Sequence, residues 1–549
     1  MLSMPSRGPC AILLLLFAAG CNASSGSADA PVVSTPDASL GEPSLAPSPR
    51  PPPRPGRGAP PIGPLSVDGG DDAEGDAETA DASDDGSSSA GDAGEAGAPG
   101  SWAPVKNTPF FAAAPLLLTD GTVLVHAVDD ASWWRLAPDS LGSYTDGRWS
   151  EVSPLPADYE PTFFASAVLA DGRVLVMGGE YDRDALVETT LGAIYDPPSD
   201  VWTPVAIPDG WLIVGDAPSV VLPDGTFMLG DPYKNGSALF DARTLSWTEV
   251  PATSGYVVAE SGWSLLPSGK VLSVDVETND GWLFDPTAGA WAKTSSIPVA
   301  LADSQVFEIG PELLMPDGRV FAVGATLHTA LYQTDGTWVA GPDMPAVQDG
   351  QLDAVDGPAA LTPGGHVVFV ASPGDYEPGS VFFDFDGTTL TQLPAPVTAP
   401  QDSSYNYLLL VLPSGQILET DGSTDVEVYT PVDTPDPSWA PAITSVAATL
   451  ARGTTNRLEG TQLNGLSQAV AYGDDYQAAT NYPLVRITNG ATGHVVYART
   501  HDHSSMGVAT GAQIVSTLFD VPAAAETGPS ELVVVANGIA STPTPVTIQ

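Results

Sequence analysis

Between residues 112 and 420 the apolar residues fall in pairs of short blocks, each pair joined by a turn-forming dipeptide. LLLTDGTVLVH (from 116), VLADGRVLVMGG (168), VVLPDGTFMLGD (220) and SLLPSGKVLSVD (264) share the pattern. LLMPDGRVFAVG (313), ALTPGGHVVFVA (360) and LVLPSGQILETDG (410) bring the copies to seven. An apolar run, then Asp-Gly, Ser-Gly or Gly-Gly, then a second apolar run predicts a β-hairpin, because those dipeptides tolerate the positive φ of a type I′ turn.

The turn glycines Gly121, Gly172, Gly225, Gly269, Gly318, Gly365 and Gly415 recur every 44 to 53 residues, the range of kelch-type propeller blades. Downstream of most turns come an aromatic-Asp strand and a tryptophan strand, as in GAIYDPPSDVWTPV (192–205), SALFDARTLSWTEV (237–250) and GWLFDPTAGAWAKT (281–294). Repeat five carries TALYQTDGTWVAG, while repeat six, SVFFDFDGTTLTQL, has Leu390 near the tryptophan position. Four strands in each of seven repeats predict an all-β chain with a seven-bladed kelch-type β-propeller over 101–440. The seventh repeat supplies only three strands. SWAPV (101–105) copies the tryptophan strand ahead of repeat one, so it is expected to complete the last blade and remove an open sheet edge. The period vanishes after residue 440. Residues 441–549 alternate apolar and polar positions over roughly seven short strands, which predicts an immunoglobulin-like β-sandwich.

The first 100 residues carry no such pattern. MLSMPSRGPCAILLLLFAAGC reads as a secretory signal peptide over 1–20, with an apolar run too short to span a bilayer. Its end, Ala18-Ala19-Gly20-Cys21, resembles a bacterial lipobox, which implies cleavage before Cys21 and attachment of lipid to its thiol; an ordinary secreted protein with a coincidental cysteine is the alternative. Asn22 in the next position implies the outer membrane of a cell envelope by the sorting rule known for some Gram-negative bacteria. Residues 21–100 are proline-rich and then acidic, small and polar, a composition that cannot bury enough apolar surface to order itself and so forms a linker.

Charge narrows the partners. With 67 acids against 18 bases and a formal net charge of −49, the chain repels nucleic acid. The membrane is approached through the lipid on Cys21. Both cysteines, Cys10 and Cys21, precede the repeats; the mature body has no thiol for a disulfide, a metal or a nucleophile.

Several segments carry a family resemblance. GSWAPVKNTPF, YNYLLLVLPSGQILETDG, the AYGDD and NYP stretches and LVVVANGIAS, over residues 101–549, are similar to the galactose oxidase and glyoxal oxidase-like kelch-repeat family. That resemblance implies a single copper held by two tyrosines and two histidines, with the radical tyrosine cross-linked to a cysteine. Carried onto this chain, the cysteine falls at Phe163 or Phe164 and the radical tyrosine at Asp216. The second tyrosine is matched by Tyr405, while Asn406 replaces a histidine and the last histidine falls near Gln477. One role of five survives, so copper-radical oxidation is not expected.

The same offset from each turn glycine gives Ala112, Phe163, Asp216, Glu260, Ile309, Asp356 and Asn406, with Glu308 one residue earlier in repeat five. In a propeller these positions ring one mouth of the central channel. Asp216, Glu260 and Asp356, with Tyr405 and Asn406, are therefore candidate ligand- or cation-binding residues. Hard oxygen donors suit Ca²⁺ or Mg²⁺ better than copper, and a carboxylate pair could serve as general acid and base on a glycan. Capping of strand ends, or water held in the channel, would use the same residues structurally. His501 and His503 in YARTHDHSSMGV have the spacing of two metal ligands on an extended segment. They would approach the acids if the sandwich covered that mouth; hydrogen bonding within a hairpin is the alternative. Two functions follow as expectations. One is a surface-tethered extracytoplasmic lipoprotein that binds a glycan, peptide or envelope protein without catalysis. The other is an extracytoplasmic enzyme using the channel-mouth carboxylates, either a carbohydrate-active hydrolase or lyase or a divergent oxidoreductase.

Overall fold

Hairpin turns set the geometry of the ring. The computed structural model describes residues 100–549 apart from 129, 184, 187, 188, 348 and 349; the expected signal peptide, Cys21 and the linker lie outside the described residues. Each repeated turn glycine has a positive φ, from 74° at Gly121 to 89° at Gly318. Its N–H donates to the carbonyl three residues earlier, as Gly121 does to Leu118 at 2.9 Å. The preceding residue is not left-handed, so the turn is not the type I′ form that the dipeptides suggest. Asp120, Asp171 and Asp224 accept the N–H two residues on, at 3.1, 3.1 and 3.0 Å. That Asx capture goes with ordinary φ and leaves a three-residue turn with only its glycine left-handed.

Seven blades follow. Sheets run from Ala112–Leu117 to Arg148–Val152, from Ala165–Val168 to Val201–Pro204, and from Ser219–Val221 to Ser246–Val250. Three more run from Ser264–Leu265 to Ala290–Lys293, from Glu312–Leu314 to Trp338–Ala340, and from Ala359–Leu361 to Leu390–Gln392. The seventh consists of Leu408–Val411, Ile417–Thr420, Glu427–Thr430 and, from the other end of the chain, Ser101–Pro104. That last strand pairs antiparallel, with Trp102 opposite Tyr429, and closes the ring as the sequence predicts. A small extra sheet of Pro161–Thr162, Tyr181–Asp182 and Ala185–Leu186 extends the second blade.

The strand order explains the composition. Innermost strands such as Ala112–Leu117 are buried throughout, because both faces meet neighbouring blades. Outermost strands such as Val201–Pro204 and Ala290–Lys293 bury only their tryptophan. The indole N–H donates to the segment that follows the preceding blade: Trp202 to Ser153 O at 2.9 Å, Trp247 to Ala206 O at 2.8 Å, and Trp338 to Thr294 Oγ1 at 3.0 Å. Trp102 does the same to Pro394 O at 2.7 Å. In these four blades the tryptophan is a bolt to the neighbouring blade, whereas the Trp149 indole N–H of the first blade is buried without a hydrogen-bond partner; the N-terminal strand carries the bolt of the closing blade.

The C-terminal sandwich is a nine-stranded hydrogen-bonded set from Ala442–Ser445 to Thr544–Ile548, folded over its own core of Leu458, Val485, Phe519 and Val534. It sits on the propeller face that bears the turn glycines: Thr500 donates to Thr119 O, His503 to Ala170 O and Met506 to Pro223 O, at 3.1, 2.9 and 2.9 Å. From there residues 468–480 descend between the innermost strands. Leu361 donates to Ala469 O at 2.8 Å, Val470–Ala471 adds a fifth strand to the sixth blade, and Thr480 returns to donate to Gln468 O at 2.9 Å. The loop is a plug whose tip, residues 473–477, reaches the far mouth.

Trp102→Ala removes an interblade hydrogen bond and the ring contacts to Phe382 and Tyr429, at 5.3 and 5.0 Å. It is expected to cost about 2 kcal/mol, roughly half the loss for a fully buried tryptophan. Deletion of residues 101–106 should cost more, as read by urea denaturation; equal midpoints for wild type and deletion would contradict the closing role.

Candidate functional site

The mouth is built from the residues that enter each innermost strand. Phe163, Asp216, Glu260 and Asp356 all have left-handed backbones, with φ of 52°, 47°, 59° and 46°. Such conformations cost non-glycine residues of order 1–3 kcal/mol and persist only where surroundings enforce them. Neighbouring entrances hold one another: Glu260 N donates to Asp216 O and Asp356 N to Ile309 O, both at 3.3 Å. In the fifth blade Ile309 is buried and apolar, and Glu308 beside it supplies the carboxyl. The plug tip lies among these residues. Tyr476 N donates to Phe164 O at 3.0 Å, while its hydroxyl accepts from Phe163 N at 2.7 Å.

The result is a cluster of acids. Burial, and after it the fields of Asp216, Glu308, Asp474 and Asp356, push Glu260 well above the usual carboxylate range. Glu308 rises for the same reason, burial first and then Asp356, Asp474 and Asp216. Asp475 is raised by burial and by Asp474, Asp216 and Glu180. Burial pushes Asp356 up to about 7 even though a hydrogen bond with Glu308 pulls it down. Tyrosines edge the cluster: Tyr376 donates to Glu308 Oε1 at 3.1 Å and meets the Tyr405 ring edge-on at 5.2 Å, and Tyr472 donates to Tyr405 O at 2.9 Å.

The structure thus brings Asp216, Glu260 and Asp356 together at one mouth. Tyr405 stands beside them, in the short Ser404–Asn406 turn that also carries Asn406, half-buried. His501 and His503 do not join them, because the sandwich covers the opposite face. His501 Nδ1 meets Asp502 at 2.8 Å and its Nε2 meets Asp520 at 3.4 Å. His503 Nδ1 meets Thr517 Oγ1 at 3.0 Å, and burial lowers its pKa to about 3. Sequence reasoning missed Asp474 and Asp475, whose signal was present: two adjacent acids inside a segment that the resemblance placed near the metal.

The donors do not fit the copper centre that the resemblance implies. No sulfur stands at Phe163 or Phe164, and Asp216 replaces the radical tyrosine. The Gln477 amide is spent on the plug's own backbone, donating to Asp474 O at 3.1 Å and to Asp475 O at 2.9 Å. The oxygen-only set of Asp216, Asp474 and Asp475 is instead that of a hard cation.

No protein-family model matches the chain. A curated relative, the kelch-like protein terF of Aspergillus terreus, is 30% identical over 119 residues, 19% of this chain and 25% of that protein. The chain spans about a quarter of the length of the curated relative it matches. Among solved structures, a fungal alcohol oxidase of the AA5 family in complex with copper is similar over 82% of this chain and 100% of its own, at 13% identity and a TM-score of 0.48. Virginiamycin B lyase from Staphylococcus aureus is similar over 61% of this chain and 99% of its own, at 12% identity and 0.43. YCF48 bound to D1 peptide is similar over 61% and 96%, at 14% identity and 0.39. The fold itself, a kelch-like seven-bladed propeller followed by a sandwich, is read from the sheets described above.

The raised carboxyls have a consequence for stability. Asp356 moves from an ordinary 3.8 to about 7 on folding, so between those values the native state binds the extra proton. Stability is then complete below the lower value and declines as pH rises through the upper one. Without divalent cations, Tm is expected to fall between pH 5 and pH 8, and Asp356→Asn should flatten that fall. A Tm that rises across the interval would contradict the protonated cluster.

Proposed function

We propose that the protein is an extracytoplasmic propeller, held to the envelope through lipid on Cys21, that binds a partner without catalysis at the acidic channel mouth. The observation that supports this reading is the convergence of Glu260, Glu308 and Asp356 on one axis where the dominant fields are those of other acids. Among glycan, peptide and envelope protein, this chemistry favours a basic segment of an envelope protein. Lysine or arginine would satisfy the carboxylates, and the tyrosine faces attract cations. The linker of residues 21–100 would give the propeller reach from the membrane surface.

The hydrolase alternative is served less well by the same cluster. Glycoside hydrolysis pairs an ionised carboxylate with a protonated acid, whereas burial and neighbouring acids raise Glu260, Glu308 and Asp356 alike.

The test immobilises the protein and measures binding of peptides bearing paired lysines or arginines, with neutral and acidic peptides and oligosaccharides as comparisons. Basic peptides should bind in a salt-dependent manner, and Asp356→Asn or Glu260→Gln should weaken them about tenfold, the loss of one charge-assisted contact. Cleavage of an oligosaccharide, or peroxide released from a primary alcohol, would replace the binding reading with an enzymatic one.

A further inference from the structure

Two acids of the plug tip, Asp474 and Asp475, meet the ring acid Asp216. One carboxylate oxygen from each of Asp216, Asp474 and Asp475 lies within 4.8 Å of the other two. Asp474 and Asp475 are 3% and 4% exposed. Asp474 Oδ1 accepts the Asp475 N–H at 2.9 Å, which leaves its Oδ2 buried without a hydrogen-bond partner, as is Asp475 Oδ1. A buried carboxylate oxygen that has given up water and gained no donor is costly. Two of them side by side, facing a third acid, call for a cation.

We propose that Asp216, Asp474 and Asp475 bind a calcium ion that fastens the plug from the sandwich to the third blade of the propeller. The donor set is all oxygen and carries three formal charges, which selects a hard divalent ion over copper or zinc. Size selects among hard ions. Calcium–oxygen distances of about 2.3–2.6 Å allow ligand oxygens up to roughly 5 Å apart, whereas magnesium at about 2.0–2.1 Å allows little more than roughly 4 Å. Oxygens that all lie within 4.8 Å of one another can be spanned by calcium, and three protein carboxylates exceed the one or two through which magnesium, which keeps several waters, is usually held. Water and backbone carbonyls complete its sphere of about six to eight oxygens.

The ion joins parts of the chain far apart in sequence. Asp216 enters the third blade, while Asp474 and Asp475 arrive from the sandwich through the whole depth of the channel. Calcium would therefore stabilise the docked plug and the mouth that the plug shapes. This inference rests on the reading of the mouth as a ligand site only for its location, and a failure of one leaves the other standing.

The experiment uses the full chain, stripped with EDTA, dialysed and titrated with CaCl₂ or MgCl₂ while thermal melting is followed. Melting reports on the folded part, so calcium held loosely by the acidic residues 68–100 does not register. One Ca²⁺ per folded chain and a Tm raised by several degrees at 1 mM Ca²⁺ are expected, with a smaller rise for Mg²⁺. Asp475→Asn and Asp216→Asn should lower calcium affinity at least tenfold, whereas Glu312→Gln, a buried acid outside the site, should leave it unchanged. If the aspartate variants fold poorly, Tb³⁺ luminescence excited through Tyr476 in the wild-type chain supplies a second readout, quenched as Ca²⁺ displaces the lanthanide. A Tm indifferent to 1 mM Ca²⁺ with no displaceable Tb³⁺ signal would overturn the site, as would calcium binding undiminished by Asp475→Asn. Neither result would bear on whether basic peptides bind at the outer acids.

Discussion

Like charges gathered on one axis repel, and burial magnifies the repulsion because little water remains to screen it. A closed ring of blades imposes that gathering: positions some fifty residues apart in sequence share one mouth, and here several of them are acids. Neutrality must come from protons or from a positive ligand. Burial and neighbouring acids raise Glu260, Glu308 and Asp356 alike, which favours protons there. Asp474 and Asp475 keep oxygens that no protein donor reaches.

The ring tolerates this burden because its closure is independent of the mouth. Bolts such as Trp202, Trp247 and Trp102 lie on the outermost strands, at the opposite radial end of each blade from the acids. Fully buried inner strands supply the hydrophobic contribution between these two zones. The plug adds a third tie, since Val470–Ala471 extends the sixth blade and Gln468 Oε1 accepts from Leu265 N of the fourth at 2.6 Å. The sandwich thus reaches several blades from inside the channel as well as from its outer face.

Most of the fold was legible because propellers repeat. The period of the turn glycines, the tryptophan strands and the orphan SWAPV strand specified seven blades and their closure. Turn type was not legible: Asp-Gly fits both a two-residue turn and a turn with a glycine bulge, and the choice falls to an Asx hydrogen bond that composition does not show. The mouth residues Asp216, Glu260 and Asp356 were reachable by counting back from each glycine, since every blade enters its inner strand at the same offset. Counting could not reach Asp474 and Asp475, because the plug belongs to no repeat; their one signal was the pair of adjacent acids in the AYGDD segment, whose depth in the channel depends on three-dimensional docking. The position of His501 and His503 was also out of reach, since nothing in local sequence says which propeller face the sandwich covers.

The acids at the mouth have no account in stability alone. Replacing buried charges with apolar groups of similar volume is often neutral or stabilising, and a left-handed backbone at Asp216, Glu260 and Asp356 adds strain that a glycine would relieve. A fold held by interblade tryptophans and buried inner strands does not need charged, strained residues at its axis. Capping explains some propeller carboxylates, and it does explain those in the turns, where Asp120, Asp171 and Asp224 each hold a backbone N–H. It explains only part of Asp474, whose second oxygen is buried without a partner. Where strain, repulsion and unmet hydrogen bonding coincide on one axis, a ligand that removes all three is the economical physical account. Its charge must be positive.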